Sequence, residues 1–394
     1  MVAGHLQEKK GYYYVVLNYS VASGKRKTKW ISTNLPIKGN KKRAEQILME
    51  ERLSFVPEEP EKSLDDIGEE DIFFSDFLIK WLEIAKTTIA ITTYASYSNM
   101  TKNIISPYFE KRQITLKKLK ASDIQDFYIE ELKRVKAATV IHYHAIIHRA
   151  LKYAVKIDII DSNPADKIER PKQEKFVGNF YSPEEIKQLF KAAKGTKLEA
   201  PIVFGAFYGL RRSEAIGVKW SNIDFENNII SVSHKVTGVN LDGKYTVIAQ
   251  DSMKNRSSCR AMPLVPAVKE LLLEIKSQQE ENRKLCGRCY NKEYLDYVCV
   301  DEMGNRLLPN YVSDGFSALL KNNGLRHIRF HDLRHSCASL LVAKGEPMKQ
   351  IQEWLGHSDF STTANIYAHL DYSSKIASAD TMMSELGEAL AVFG

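Results

Sequence analysis

Near its end the chain carries His331-Asp332-Leu333-Arg334-His335, then Leu355-Gly356-His357, and then Tyr367 ten residues after that last histidine. His331 and Arg334 are three apart, one helical turn, so an imidazole and a guanidinium reach the same side of a helix. Upstream, Tyr208-Gly209-Leu210-Arg211-Arg212-Ser213-Glu214 sets Arg211 and Glu214 three apart, where a carboxylate can hold a guanidinium fork in one orientation. A polar loop, Met253-Lys254-Asn255-Arg256-Ser257-Ser258, lies between them and offers one lysine. Each piece is common alone; their order and spacing together are specific.

Metal alternatives are weaker. His331 and His335 have the i, i+4 spacing of zinc-binding helices, yet the residues between them are Asp-Leu-Arg. That places a cation beside the supposed ion and leaves out the general-base carboxylate. Cys286-Gly287-Arg288-Cys289 with Cys299 offers three soft ligands without a clear fourth, so buried or idle thiols are the favoured reading. No metal and no cofactor is expected.

Working outward, Ser182-Pro183-Glu184-Glu185 is a strong helix start and opens a mixed α/β body. The pattern predicts helices over 184–194 and 199–217, then a strand region over 228–264 with a turn at Leu241-Asp242-Gly243-Lys244, then helices from Pro266 onward. Before the body, apolar residues recur at three and four from Phe73, again after Ser122, and again over 139–156, which predicts a small helical bundle. His142, His144 and His148 on its third helix do not share one face and read as surface or DNA-facing residues. Arg149 and Lys152 beside them are candidate DNA contacts.

Charge is distributed in blocks. Residues 1–52 hold eleven Lys or Arg against four Glu, and residues 53–76 hold one Lys against nine Asp or Glu. The head reads as strand, turn, strand and helix: Tyr12 to Leu17 is rich in strand formers, Ser23-Gly24 begins a turn, and Asn40 is placed to cap a helix. One helix covers one face of such a sheet, which is narrow enough to enter a major groove. Lys25, Lys27 and Lys29 are its candidate DNA contacts; lysines that simply face water are the competing reading. The 56–71 stretch, VPEEPEKSLDDIGEED, is an acidic tether.

The whole chain has 394 residues, 44% apolar and 27% charged, which predicts several packed domains and argues against general disorder. No apolar run approaches a membrane span, and residues 1–10 carry charge where a secretory leader would be apolar. Five cysteines, an odd number, fit reduced thiols in a cytosol, and a net +7 allows a polyanionic partner.

Gly209-Leu210-Arg211-x-Ser213-Glu214, Lys254, His331-x-Leu333-Arg334-His335, Leu355-Gly356-His357 and Tyr367 together resemble the tyrosine recombinase (phage integrase) family. The likeness spans about 180 to 375, and the basic head is most similar to integrases of conjugative transposons. It implies a multidomain, mainly α fold with small β-sheets. The expected parts are an arm-type DNA-binding domain (1–55), an acidic linker (56–72), a helical core-binding domain (73–170), a linker (171–180), a catalytic domain (181–372) and a tail (373–394) that packs in cis or trans.

The same resemblance implies strand cleavage and rejoining through a 3′-phosphotyrosyl intermediate, with a type IB topoisomerase as the alternative. Tyr367 is then the nucleophile. Arg211, Arg334 and His357 would bind the phosphate, Lys254 would donate a proton to the leaving oxygen, and His331 would act as base or orienter. Glu214 and His335 would support them, with Arg212 and Arg256 as DNA-backbone contacts. The expected partners are double-stranded DNA bearing core-type and arm-type sites, sister copies in a DNA-bound tetramer, and accessory excision and bending proteins. The expected location is the cytoplasm, with no membrane association.

Overall fold

The computed structural model describes residues 3–20, 26–55, 71–172, 179–251, 259–356 and 383. Its head is an antiparallel sheet of β1 (Ala3–Lys9), β2 (Tyr12–Ser20) and β3 (Arg26–Pro36), in that order, backed by α1 (Lys41–Ser54). Strand β1 lies outside the strand-turn-strand-helix pattern expected of the head. Most of its residues are exposed, so it carries no apolar signal, and the left-handed pair Lys10 (φ 49°) and Gly11 (φ 83°) turns it into β2.

Register decides which face each residue serves. Leu17 pairs with Gly4 and Lys29, and a Cβ on Gly4 would lie 3.2 Å from Leu48 of α1, so this face is the covered one. Tyr13, Val15 and Leu17 are buried there with Ala44. The opposite face presents Tyr14 and Trp30 edge to face at 6.3 Å, with the Lys9 ammonium 5.1 Å above the Trp30 ring. Asn40 precedes α1, but its amide donates back to the Pro36 and Lys38 carbonyls instead of capping the helix.

The bundle comprises α2 (Phe74–Thr88), α3 (Ile91–Met100), a π-helical turn (Thr101–Ile105), α4 (Ser106–Glu110), α5 (Ala121–Leu132) and α6 (Ala137–Lys156). Phe74, Phe77, Leu78 and Trp81 from α2 bury against Phe109, Phe127, Tyr128 and Ile146. The second helical run, 91–110, has a largely polar sequence, and periodicity gave no sign of it. Two of the three histidines are not free surface groups. His144 meets the Tyr128 hydroxyl at 2.9 Å and His148 meets Asp166 at 2.8 Å, while His142 is exposed.

The body begins where expected. Ser182 Oγ accepts from the Glu185 N–H and the Glu185 carboxylate accepts from the Ser182 N–H at 2.8 Å, a capping box that starts α7 (Pro183–Ala193). The expected single helix over 199–217 is instead α8 (Glu199–Ala206) and α9 (Arg212–Ala215), broken at Gly209, whose φ is +64°. Then follow β4 (Ile223–Asp224), β5 (Ile229–Val232), β6 (Lys235–Leu241), β7 (Lys244–Gln250) and β8 (Arg260–Pro263). They form a β4-β5-β8 sheet and a separate β6-β7 hairpin, whose Asp242-Gly243 turn has φ of 49° and 77° as a tight hairpin requires. Helices α10 (Pro266–Cys286), α11 (Pro309–Asn322), α12 (Asp332–Ala343) and α13 (Met348–Leu355) complete it. At the hairpin tip Asp242 accepts from Lys102 of the bundle at 2.7 Å, and Leu241 packs against the bundle core.

Candidate active site

Gly209 sets the site. Its left-handed backbone ends the α8 segment, and a Cβ there would meet Leu355 Cδ2 at 2.4 Å, so glycine is required for conformation and for room. Its carbonyl accepts the Nη1 hydrogen of Arg334 at 2.7 Å. Two residues later Arg211 caps α9; its Nη1 donates to Glu214 Oε1 at 2.7 Å and its backbone N–H to Glu214 Oε2 at 3.1 Å. One short turn therefore positions one guanidinium directly and receives the other.

Glu214 is 3% exposed and serves two cations, because Arg260 Nη2 reaches its Oε2 at 3.3 Å. Burial pushes its carboxyl up, but Arg260 and then Arg211 outweigh that and hold it below its ordinary value. Arg334 is among the largest fully buried side chains, and burial, then the nearby Arg211 charge, pulls its guanidinium down to about 9. It still carries its charge at neutral pH.

The start of α12 is locked by a fork. Arg329 donates Nη2 to Asp332 Oδ1 at 2.7 Å and Nε to Oδ2 at 3.1 Å, and its backbone N–H adds a third bond at 2.8 Å. This fixes His331 and Arg334 on either side of Asp332. Desolvation, then the charges of His335, Arg334 and Arg211, lower the His331 imidazole to about 4, so it is neutral at physiological pH and one ring nitrogen can accept a hydrogen bond. His335 sits edge to face with it at 5.2 Å, and its pKa is also lowered, chiefly by burial.

Arg211, Arg212, Ser213, Thr237, Ser317, His327 and His331 line one open groove of about 470 Å³. Donors dominate this lining, which suits a phosphate-bearing polymer. Arg212 donates to the Ser313 hydroxyl at its edge. Arg149 and Lys152 are exposed on α6. Lys29 stands on the helix-covered side of the head, its ammonium 5.3 Å from the Phe55 ring. The backbone of Lys27 lies in β3 opposite Tyr19. Lys25, Lys254, Arg256, His357, Tyr367 and the 373–394 tail, apart from Met383, lie outside the described residues.

Two features escaped the sequence reading. In the sequence Asp332 shows only as a residue between His331 and Arg334, and Arg260 carries no local signal because its partners are 46 and 94 residues away. Trp354 stacks on Tyr208 with ring centroids 6.1 Å apart. All five cysteines are free, and among the described residues no group of three His, Cys, Asp or Glu side chains is arranged to hold a metal.

Residues 179–374 match the phage integrase family, and residues 73–133 match the phage integrase N-terminal SAM-like domain. The chain belongs to the phage integrase family. It is thus a tyrosine recombinase, of the enzyme class that cleaves and rejoins DNA. Among the integrase's relatives is a tyrosine recombinase XerC-like protein of Caldanaerobacter subterraneus subsp. tengcongensis, 29% identical over 79% of this chain and 83% of that protein. The ICEBs1 integrase of Bacillus subtilis is 25% identical over 88% and 91%. In fold it resembles the Tn1549 transposon integrase, solved with a circular intermediate DNA (TM-score 0.64, 20% identity, 79% of this chain and 99% of that one). It also resembles lambda integrase, solved as a tetramer on a Holliday junction (TM-score 0.55, 18% identity, 92% and 94%).

Proposed function

We propose that this integrase moves a mobile element, a conjugative transposon or prophage, into and out of DNA by site-specific strand exchange. The observation that carries the reading is the convergence of Arg211 and Arg334 on one turn, through Glu214 and the Gly209 carbonyl. Two guanidiniums so placed can grip non-bridging phosphate oxygens and offset the charge that grows at phosphorus.

Tyr367 is the nucleophile in this reading. A phenol has a pKa near ~10 and attacks poorly at neutral pH without help. His331, held neutral, takes or orients its proton, His357 adds a donor to the phosphate, and Lys254 protonates the leaving 5′ oxygen. The 3′-phosphotyrosyl bond retains the energy of the broken phosphodiester, so a partner strand can reseal it without ATP. Fixed cations do the charge neutralisation that magnesium performs in many phosphoryl transfers.

The domain assignment follows that chemistry. Segments 1–55 and 73–170 would bind arm-type and core-type DNA, with 56–72 as tether, 171–180 as hinge and 181–372 as the catalytic unit. Synapsis of two duplexes needs four copies, with 373–394 docking in cis or on a neighbour. The proposed place of work is the cytoplasm, on chromosomal or element DNA; among the described residues no helix is long and apolar enough to cross a membrane. Nicking and closing without exchange is the second reading, and the relatives named above are recombinases and integrases. Incubation of two labelled duplexes carrying the element's ends decides between them: recombinant products support exchange, whereas relaxation of supercoils with no recombinant strands overturns it.

A further inference from the structure

Arg260 opens β8, six residues after Lys254, and its side chain is 7% exposed. It makes two contacts that no other described residue combines. Its Nη2 donates to Glu214 Oε2 at 3.3 Å, and its Nε donates to the carbonyl of Trp354 at 2.9 Å. Trp354 is the next-to-last residue of α13, after which Gly356 (φ 67°) turns the chain into His357. One buried guanidinium thus joins the carboxylate that holds Arg211 to the helix end that leads to His357.

The charge count gives this join a purpose. Glu214 lies 2.7 Å from Arg211, close enough to cancel much of the positive field that a phosphate should feel. Arg211 and Arg260 both reach that single carboxylate and the Arg334 charge acts on it as well, so the set keeps a net +2. Removal of Arg260 would leave Glu214 and Arg211 as a neutralised couple beside Arg334.

Resting on the recombinase reading above, we infer that Arg260 is a positioning residue for strand cleavage. It offsets the charge of Glu214 so that Arg211 acts on the DNA phosphate at full strength, and it holds the α13 terminus in register with that carboxylate. Arg260 itself touches no substrate.

The test uses the full chain and a nicked suicide duplex, with separate measurement of DNA affinity and of the single-turnover rate of covalent adduct formation. Arg260→Met, similar in length but uncharged, is expected to slow adduct formation roughly 30- to 100-fold while the Kd for DNA changes less than about threefold. Arg260→Lys, which keeps charge but reaches only one of the two acceptors, is expected to fall between Arg260→Met and the unaltered protein. Guanidinium ion added at millimolar concentration should restore part of the rate to Arg260→Ala. A merely structural strut would behave differently: Lys and Met variants would lose binding and cleavage together, and guanidinium would restore nothing. That outcome, or an unchanged rate in Arg260→Met, overturns the inference. Failure of the underlying reading is distinguishable, because Tyr367→Phe would then still form the adduct.

Discussion

Arg334 donates its Nη1 hydrogen to the carbonyl oxygen of Gly209 at 2.7 Å, which ties the second guanidinium of the site to the turn that presents the first. The two arginines are 123 residues apart in the chain yet are set by one backbone corner. Their relative position therefore depends on the φ of a glycine as much as on either side chain.

Gly209→Ala should damage both stability and cleavage. The substitution forces a left-handed alanine and drives its Cβ against Leu355. The expected loss is about 1–3 kcal/mol of unfolding free energy, read from urea midpoints, with adduct formation reduced further than stability alone explains.

Asp332→Asn removes the charge from the fork that holds Arg329. A buried carboxylate with three donors should cost about 1–3 kcal/mol when its charge is lost. Arg329→Gln should cost at least as much, since it leaves the Asp332 carboxylate, 4% exposed, charged and without its cation. Denaturant titration of the two variants checks the ranking.

Stability should fall as the pH drops below neutrality. His331 is lowered to about 4, and His335, His234 and His144 are lowered too, each chiefly by desolvation. Unfolded histidine takes up its proton near pH ~6.5, so below that pH the unfolded chain binds more protons than the folded one. The contribution is complete above the unfolded value and is lost progressively toward about 4. Thermal unfolding followed at a series of pH values between neutrality and that limit should show a falling midpoint; a flat profile would contradict the buried, neutral state of these rings.

The head supplies a contrast between faces. Trp30 is 48% exposed on the open face beside Tyr14 and Lys9, whereas Lys29 leans over Phe55 on the helix side. If the open face meets DNA, Trp30→Ala should weaken arm-site binding about tenfold and Lys29→Ala by less than about threefold. Fluorescence anisotropy with arm-site duplexes measures both; equal losses would contradict the assignment of faces.

What the sequence showed and hid follows from the range of the interactions. Helices α2, α5 and α6 were legible because Phe77, Trp81, Phe127 and Ile146 recur at helical spacing, and the hairpin turn because Asp-Gly suits left-handed backbone. The 91–110 run was hidden, since its buried Tyr94, Tyr108 and Phe109 are interspersed with Thr, Ser, Asn and Lys. The break at Gly209 was hidden because apolar residues continue on both sides of it. At the site, Arg211, Glu214, His331 and Arg334 could be picked out by local spacing. Arg260 could not, because its value lies in joining Glu214 to Trp354, and no local pattern records a contact between distant segments.

The most direct measurement is the chemical identity of the protein–DNA bond. The integrase should be trapped on a nicked suicide duplex and digested, and the peptide that retains nucleotide identified by mass spectrometry. The account predicts one nucleotidyl peptide, with the 3′ phosphate on the Tyr367 oxygen and no adduct from Tyr367→Phe. A nucleotide attached to any other residue, or an adduct that survives loss of that oxygen, would contradict it.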